Sequence, residues 1–327
     1  MTDWLCLIKD REGAKMLTKN AGVWLVLVAA VLLFFNVSTA IAQNNFRDFV
    51  FESDKTYIIE LLDGTELTGK YIDRTDSVLV LSTSSLPRIE IPFGQIKSIR
   101  LAEETSLRGE QYWFPNPNAT RYLFAPSGFN LKKGEGYYQN SYLILNSVNY
   151  GLTNFISIGG SIELISTLST LAEGSFRPVV LITPKVGFPV AKDLNMGAGL
   201  LFMSIPELDS NPFTGAGIAY GVATYGNIEH NATLGLGWGF FNGNWARRPL
   251  INISGMTRTS QNMSLVTENW FIPLDNDLEL GRYYEVLSYG VRFVGKKISV
   301  DLAFINNRDI AKVLLIGMPY VDFVVKF

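Results

Sequence analysis

Residues 315–327, LIGMPYVDFVVKF, form the stretch that decides how the rest of the chain is interpreted. Counted in steps of two from the carboxyl end, one side of this stretch is wholly apolar and contains Val321, Phe323, Val325 and Phe327. The other side is mixed and contains Tyr320, Asp322, Val324 and Lys326. Because successive side chains of a strand point to opposite faces, this pattern predicts a β-strand with one apolar face. The strand is long enough to cross a bilayer at a tilt.

The same alternation recurs along the larger, carboxy-terminal part of the chain. We therefore predict an all-β fold in which residues 119–327 form a transmembrane antiparallel β-barrel of about 12 strands. The predicted strands lie near 120–130, 136–150, 154–165, 177–188, 194–204, 214–225, 230–241, 248–258, 261–272, 283–294, 297–306 and 315–327. A soluble β-sandwich would also alternate. However, bulky apolar residues on nearly every strand, opposed by Gly, Ser and Thr, favour a wall between lipid and a crowded lumen.

The connections between these strands alternate in length. Short turns near 151–154, 189–193, 227–229, 259–260 and 295–296 are interleaved with longer links near 166–176, 205–213, 242–247, 273–282 and 307–314. Outer-membrane barrels have short periplasmic turns and longer external loops. An even strand count then predicts that both ends of the barrel segment lie on the periplasmic side.

Charged residues fall on the faces predicted to line the lumen. By alternation these are Glu163, Lys185, Arg258, Glu268, Arg292, Asp301, Asp322 and Lys326. Both signs are present, which is compatible with a paired network that fills the bore. A conducting polar channel is the alternative, and mixed signs would give it little ionic selectivity.

The amino terminus has the features of a secretory signal peptide, predicted over residues 1–42. An apolar run at 23–35 follows two lysines and ends near Ala40-Ile41-Ala42, a small-residue cleavage site. Met16 is an alternative start, and a single membrane anchor is the alternative interpretation of the run. The single cysteine, Cys6, lies in the segment expected to be removed.

A small β domain is predicted over residues 43–104, followed by a connector at 105–118. Five short strands are expected at 56–62, 66–73, 77–83, 88–92 and 95–101, with a hairpin turn at Asp63-Gly64. The connector is rich in aromatic residues and contains two X-Pro steps that interrupt regular structure.

Four stretches of the chain resemble known proteins. The order IIELLDGTELTGKYIDRTDSVLVLST…IEIPFGQIKSIRL resembles the Sm-like or SH3-like small barrels of Bacteroidota envelope proteins. The stretches GEQYWFPNPNATRYLF and FAPSGFNLKKGEGYYQN resemble a group of Bacteroidota barrel proteins. The apolar face that ends at Phe327 resembles the carboxy-terminal insertion signal of bacterial outer-membrane barrels.

These resemblances imply an outer-membrane protein with its small domain in the periplasm. Implied partners are outer-membrane lipid, the β-barrel assembly machinery, which would recognise Val321, Phe323, Val325 and Phe327, and a periplasmic partner of the small domain. Net charge is −2, so no nucleic-acid partner is expected. The resemblance implies architecture more than chemistry.

We expect a non-enzymatic protein without a cofactor, acting as a narrow channel or as a structural, partner-binding barrel. The single histidine, His230, is the candidate base for the alternative, a membrane-embedded hydrolase. A single histidine also argues against a histidine-cluster metal site. Asp275, Asp277 and Glu279 could hold Ca²⁺, but they lack a full ligand set, which favours a solvated acidic loop. A soluble secreted β protein is the remaining alternative.

Overall fold

The computed structural model describes residues 46, 49–83, 85–102, 107–108, 111–174, 178–204, 215–274 and 282–327. The predicted signal peptide (1–42), the two possible starts at Met1 and Met16, and Cys6 lie outside these residues. The chain divides into two units, Met1–Glu103 and Glu104–Phe327.

The first unit contains a five-stranded antiparallel sheet. Its strands are β1 (Thr56–Leu61), β2 (Glu66–Arg74), β3 (Val78–Ser82), β4 (Ile89–Pro92) and β5 (Ile96–Leu101), in the order β4-β3-β2-β1-β5. A 3-10 turn, Phe93–Gln95, joins β4 to β5. The core contains Tyr57, Ile59, Leu79, Leu81, Ile91 and Ile96. All five predicted strands are present, with each bound within one residue of its predicted position.

The second unit begins with a short hairpin, β6 (Leu107–Arg108) and β7 (Gln111–Tyr112), and then forms a large antiparallel sheet. The strands of this sheet are β8 (Gly136–Ser141), β9 (Leu145–Gly151), β10 (Ile156–Glu163), β11 (Val179–Ile182), β12 (Lys185–Ala191), β13 (Leu194–Ser204), β14 (Gly215–Gly226), β15 (His230–Phe241), β16 (Asn244–Trp245), β17 (Leu250–Ser260), β18 (Met263–Pro273), β19 (Tyr283–Val294), β20 (Ile298–Asn306) and β21 (Met318–Lys326).

The large sheet closes on itself. Strands β11 and β12 both pair with β10 and β13, so they occupy one position in the ring, and β16 pairs only with the end of β15. The ring is completed by β21 pairing with β8 and by β9 pairing with β10. The prediction of an all-β fold with a closed, twelve-strand antiparallel barrel is confirmed.

Two of the predicted strands are wrong, although the total is right. Residues 120–130 form no strand; the one ladder contact in that stretch is an isolated bridge between Arg121 and Pro126. The predicted single strand at 136–150 is instead the hairpin β8–β9, which turns at residues 142–144. Tyr142 and Leu143 in that turn have φ of 55° and 62°, a left-handed conformation that tight hairpins require.

Alternation along the strands separates an apolar outer surface from a polar interior. On β15, Leu234, Leu236 and Trp238 are 53%, 42% and 43% exposed, whereas Thr233, immediately before Leu234, is 2% exposed. On β21, Tyr320, Asp322 and Val324 are fully buried, and the residues between them face outward. The barrel therefore has its polar side chains inside, the reverse of a soluble protein.

The two ends of the barrel differ. At one end, here called the turn end, the connections are short, at 152–155, 192–193, 227–229, 261–262 and 295–297. The start of β8 and the end of β21 also lie there. The opposite end, here called the loop end, includes the helix α1 (Leu164–Ala172) and a 3-10 turn, Ile310–Lys312. Among the described residues, no helix is both long and apolar enough to span a bilayer.

Candidate functional site

The interior of the barrel is occupied by residues 113–131, the segment just before β8, which we call the plug. Its buried residues include Phe114, Asn116, Asn118, Ala119, Arg121, Tyr122, Leu123, Ala125, Ser127 and Leu131. The plug folds back on itself, because Tyr122 N donates to Ala125 O at 2.9 Å and Ser127 N donates to Thr120 O at 3.0 Å. Several of its remaining polar groups are bound by side chains of the wall.

Glu268 on β18 holds the tip of the plug. Its Oε2 atom accepts hydrogen bonds from three consecutive backbone N–H groups, those of Leu123, Phe124 and Ala125, each at 2.8 Å. Its Oε1 accepts from Trp270 Nε1 at 2.7 Å. Glu268 is 1% exposed, so these four donors replace the hydration of a buried carboxylate. The carboxylate fixes the backbone of the tip in one conformation.

A network of two arginines and two aspartates links the plug to β19, β20 and β21. Asp301 pairs directly across the sheet with Arg292 on one side and with Asp322 on the other. Arg292 binds Asp301 in a two-pronged contact, at 2.6 Å from Nε and 2.8 Å from Nη2. Arg121 of the plug lies 3.0 Å from Asp322 and 3.6 Å from Asp301. The wall thus supplies two carboxylates and one guanidinium group, and the plug supplies the second guanidinium group.

Arg292 and Tyr122 extend this network. Arg292 donates to the plug carbonyls of Asn118 at 2.9 Å and Tyr122 at 2.6 Å. The Tyr122 hydroxyl lies 2.6 Å from Asn231 Oδ1 and 2.6 Å from Thr233 Oγ1 on β15. The plug is therefore attached to both β15 and β19 through its backbone and its side chains.

At the turn end, Arg258 on β17 anchors the start of the plug. Its Nη1 donates to Phe114 O at 2.6 Å and to Glu229 Oε2 at 2.8 Å. The guanidinium also lies over the rings of Trp113 and Phe114, 5.5 and 4.7 Å from their centroids. Asn116 N donates to Glu229 Oε1 at 2.9 Å. The buried guanidinium of Arg258 therefore binds both Glu229, in the turn before β15, and the aromatic residues at the start of the plug.

Lys185 on β12 binds the plug from a further side. Its Nζ donates to Thr120 O at 3.1 Å and also to Phe129 O. Nearby, Gly128 N donates to Thr224 Oγ1 at 2.7 Å. Lys185 is 8% exposed, and it binds backbone carbonyls where the other buried cations bind carboxylates.

The eight charged residues predicted to line the lumen fall into two groups. Six are buried and contact the plug: Lys185, Arg258, Glu268, Arg292, Asp301 and Asp322. Glu163 instead caps helix α1, accepting from Ile165 N at 2.8 Å and Ser166 N at 2.7 Å. Lys326 lies at the turn end, 3.2 Å from Glu135. The structure thus brings six of these residues together around a segment that the sequence pattern placed in the wall.

The plug residues Arg121, Tyr122 and Asn118 were missed by the alternation argument. Residues 121–125 read RYLFA, which does not alternate, and Pro126 cannot donate to a sheet ladder. Those two signals were available in the sequence.

The carboxy-terminal strand has the orientation that its alternation predicts. Val321, Phe323 and Phe327 are 45%, 39% and 56% exposed, on the outer face. Phe327 N donates to Gly136 O at 2.8 Å, and Gly136 N donates to Phe327 O at 3.0 Å. The last residue of the chain therefore pairs with the first residue of β8 and closes the ring.

His230 begins β15 at the turn end, with Nδ1 2.8 Å from Thr257 Oγ1. Within the described part of the chain, no group of three or more His, Cys, Asp or Glu side chains is placed to hold a metal ion. Asp275, Asp277 and Glu279 lie outside the described residues.

No protein-family model and no curated protein sequence matches the chain. Solved structures with a similar arrangement include an active-site variant of outer membrane phospholipase A from Escherichia coli, with 11% identity, a TM-score of 0.33, and coverage of 61% of this chain and 90% of that chain. A loop-deletion variant of OmpT, an outer membrane protein of Vibrio cholerae, has 9% identity, a TM-score of 0.30, and coverage of 84% and 96%. OmpF of Salmonella typhi, solved in complex with daunomycin, has 8% identity, a TM-score of 0.31, and coverage of 83% and 95%.

Proposed function

We propose that this chain is an integral outer-membrane β-barrel protein whose bore is closed by its own plug. It is non-enzymatic and acts as a structural, partner-binding barrel. The observation that carries the proposal is the attachment of the plug to the wall through buried charges, centred on the Glu268 carboxylate and the Arg121 guanidinium.

The membrane location is supported by the outer surface of the barrel. Apolar side chains stand outward on strands around the ring, among them Ile158, Met196, Leu236, Leu265 and Leu302. Strands of 11 or 12 residues, such as β13 and β14, are long enough to cross the hydrocarbon core at a tilt. A closed sheet leaves no backbone edge unpaired, which the membrane interior demands.

A closed bore is supported by what lies inside it. Twelve strands enclose more space than the eight-strand barrels that side chains alone can fill, so a ring of this size needs added material or water. Here the added material is the plug, and its backbone carbonyls bind Lys185 and Arg292 while its N–H groups bind Glu268. An open diffusion pore would leave these buried charges in water.

The small domain, the plug and the carboxy-terminal strand have distinct roles in this proposal. The five-stranded sheet of residues 56–101 is a periplasmic Sm-like module that binds a protein partner, in the arrangement that the Bacteroidota resemblance implies. Residues Val321, Phe323, Val325 and Phe327 form the strand that the β-barrel assembly machinery recognises during insertion. Outer-membrane lipid covers the apolar wall.

Single-channel recording in a planar bilayer tests the closed bore. The full chain and a variant lacking residues 43–110, which keeps the plug, are expected to give no steady openings. A variant lacking residues 112–131 is expected to conduct. Heat-modifiable mobility on a gel identifies folded barrels in each preparation. Steady openings of the full chain would overturn the proposal.

The hydrolase alternative is tested with His230→Ala. A barrel without catalysis is expected to fold and to behave as the unaltered chain does in every assay. If the unaltered protein hydrolyses phospholipid or peptide substrates and His230→Ala abolishes that activity, the non-enzymatic assignment is wrong.

A further inference from the structure

A cavity of about 180 Å³ lies between the plug and the inner wall formed by strands β8–β14. An engineered cavity of about 150 Å³ is large enough to bind benzene, so this space suits a molecule of that size. It is too small for a lipid or an oligosaccharide. Its chemistry is mixed, with two cations, several hydroxyl groups and an apolar portion.

Arg121 is one of the residues that line the cavity, and two of its nitrogen atoms have no partner among the described residues. The side chain is 4% exposed, and its Nη1 atom makes the contacts to Tyr122 O, Leu123 O and Asp322. The Nε and Nη2 atoms are buried and have no hydrogen-bond partner among the described residues. Buried polar groups without a partner are uncommon and costly, so these two nitrogen atoms, which carry three N–H bonds, point to a ligand that accepts hydrogen bonds.

Lys185 lines the same cavity and carries an unbalanced charge. Its ammonium has three protons, and two carbonyl oxygens, those of Thr120 and Phe129, accept from it. No carboxylate of the described chain lies within ion-pair distance of Lys185. The nearby charges of Arg121 and Arg292 are balanced by those of Asp301 and Asp322, and the carboxylate of Glu268 is bound by N–H groups at the tip of the plug. Lys185 therefore has no neighbouring counter-ion, and an anion in the cavity would supply one.

The rest of the cavity is divided into polar and apolar portions. Ser147 and Ser161 contribute hydroxyl groups, and Leu181, Leu201 and Tyr220 contribute apolar surface.

We propose that this cavity binds a small monocarboxylate with an apolar body. The carboxylate accepts from Arg121 and Lys185, and the body packs against Leu181, Leu201 and Tyr220. The site rests on the proposed closed bore, because Arg121 belongs to the plug. The single negative charge matches the unbalanced ammonium, and the volume matches a substituted benzoate.

The test uses para-fluorobenzoate with the refolded full chain in detergent micelles, followed by fluorine NMR. The neutral analogue para-fluorobenzyl alcohol is expected to bind about tenfold more weakly, because it cannot pair with the two cations. Lys185→Gln is expected to weaken binding of the acid by a similar factor, and Lys312→Gln, on an exposed loop, is expected to leave it unchanged.

A second pair of variants keeps the proposal falsifiable if Lys185→Gln fails to fold. Leu181→Trp fills the cavity and is expected to abolish binding, whereas Ile182→Trp, at the adjacent outward-facing position, is expected to preserve it. Equal binding of acid and alcohol, or binding that survives Leu181→Trp, overturns the site. A full chain that is silent in bilayers and binds no para-fluorobenzoate also overturns the site, but leaves the closed bore standing.

Discussion

Asp301 and Asp322 lie directly opposite each other on neighbouring strands of the barrel wall, and both are fully buried. Like charges at such positions repel each other, and Arg292 binds only Asp301 of the two. Arg121 of the plug approaches both carboxylates and supplies the missing cation. The charge balance of the wall therefore depends on a residue that is not part of the wall.

Replacing Arg121 should expose that dependence. Arg121→Met is expected to destabilise the folded barrel by roughly 3 kcal/mol, because it leaves a buried carboxylate without its partner. Guanidinium unfolding followed by tryptophan fluorescence measures the loss. Adding Asp322→Asn should restore part of the stability, since it removes the uncompensated charge. Arg308→Met, which breaks an exposed pair with Glu285, is the control and should cost less than about 1 kcal/mol.

Glu268→Gln should loosen the tip of the plug. The amide keeps one acceptor oxygen but loses the charge that three backbone N–H groups share, at a cost of about 2 kcal/mol. We expect brief openings in bilayer recordings that the unaltered protein does not show. Glu163→Gln, at the cap of α1, is the matched control and should stay closed. Equal silence of both variants would show that Glu268 is not needed to keep the bore shut.

Gly128 of the plug lies close to the backbone of the wall. A Cβ atom at this position would lie 2.6 Å from the carbonyl oxygen of Asn195, so the backbone must shift to admit alanine. Gly128→Ala is expected to lower unfolding free energy by roughly 1–3 kcal/mol. Gly160→Ala, where a Cβ meets open space, should have little effect. If the two variants unfold alike, the backbone of the plug does not pack closely against Asn195 in the folded protein.

Phe327 should influence assembly more than final stability. Its ring covers Gly136, where a Cβ would lie 2.5 Å from Phe327 Cε2. We expect Phe327→Ala to reduce the folded fraction in the membrane several-fold, scored by heat-modifiable mobility after expression. Val313→Ala, in an exposed loop, is the control. Unchanged yield would argue against recognition of the terminal residue.

The small domain should lose a little stability in acid. The hydrogen bond from Lys97 lowers the pKa of Glu60 below its ordinary value of 4.5, with Ser98 contributing. This stability is present above that ordinary pKa and is lost as the pH falls through the lowered, folded-state pKa. Because the pair is partly exposed, the effect is about 0.5 kcal/mol or less. Lys97→Met should reduce the difference in stability between neutral and acidic pH, measured by hydrogen exchange of residues 56–101.

The strands that sequence patterns predicted well are those with two distinct environments. Leu234, Leu236 and Trp238 face outward while Thr233 faces inward, so a period of two is visible in the sequence. The plug does not have one face toward lipid and one toward the interior, because residues of the wall surround it in several directions. Backbone groups of the plug form hydrogen bonds with the side chains of Glu268, Lys185 and Arg292 and not with a neighbouring strand. The sequence of the plug therefore has no regular period that would reveal its conformation.

The hairpin between β8 and β9 could not be recognised in the sequence for a different reason. Turns of this kind are usually marked by Asn-Gly or Asp-Gly, because both central residues take positive φ. Here Tyr142 and Leu143 adopt that conformation, and their apolar side chains extend the surrounding strand pattern. The alternation of longer and shorter connections could be predicted from the sequence. The turn at Tyr142 and Leu143 could not, because tertiary contacts there outweigh the usual preference for Asn and Gly at positive φ.

The seam between Gly136 and Phe327 joins residues almost two hundred positions apart, so forming it closes a very long loop of chain. Contacts of such long range form late, since their entropy cost must first be offset by nearer ones. The plug is joined directly to β8, one side of that seam. Both ends of the plug lie at the turn end, the start beside Arg258 and the other joined to β8, so the plug can enter the bore from that end without being threaded through the ring. The seam and the plug therefore complete the barrel at the same end.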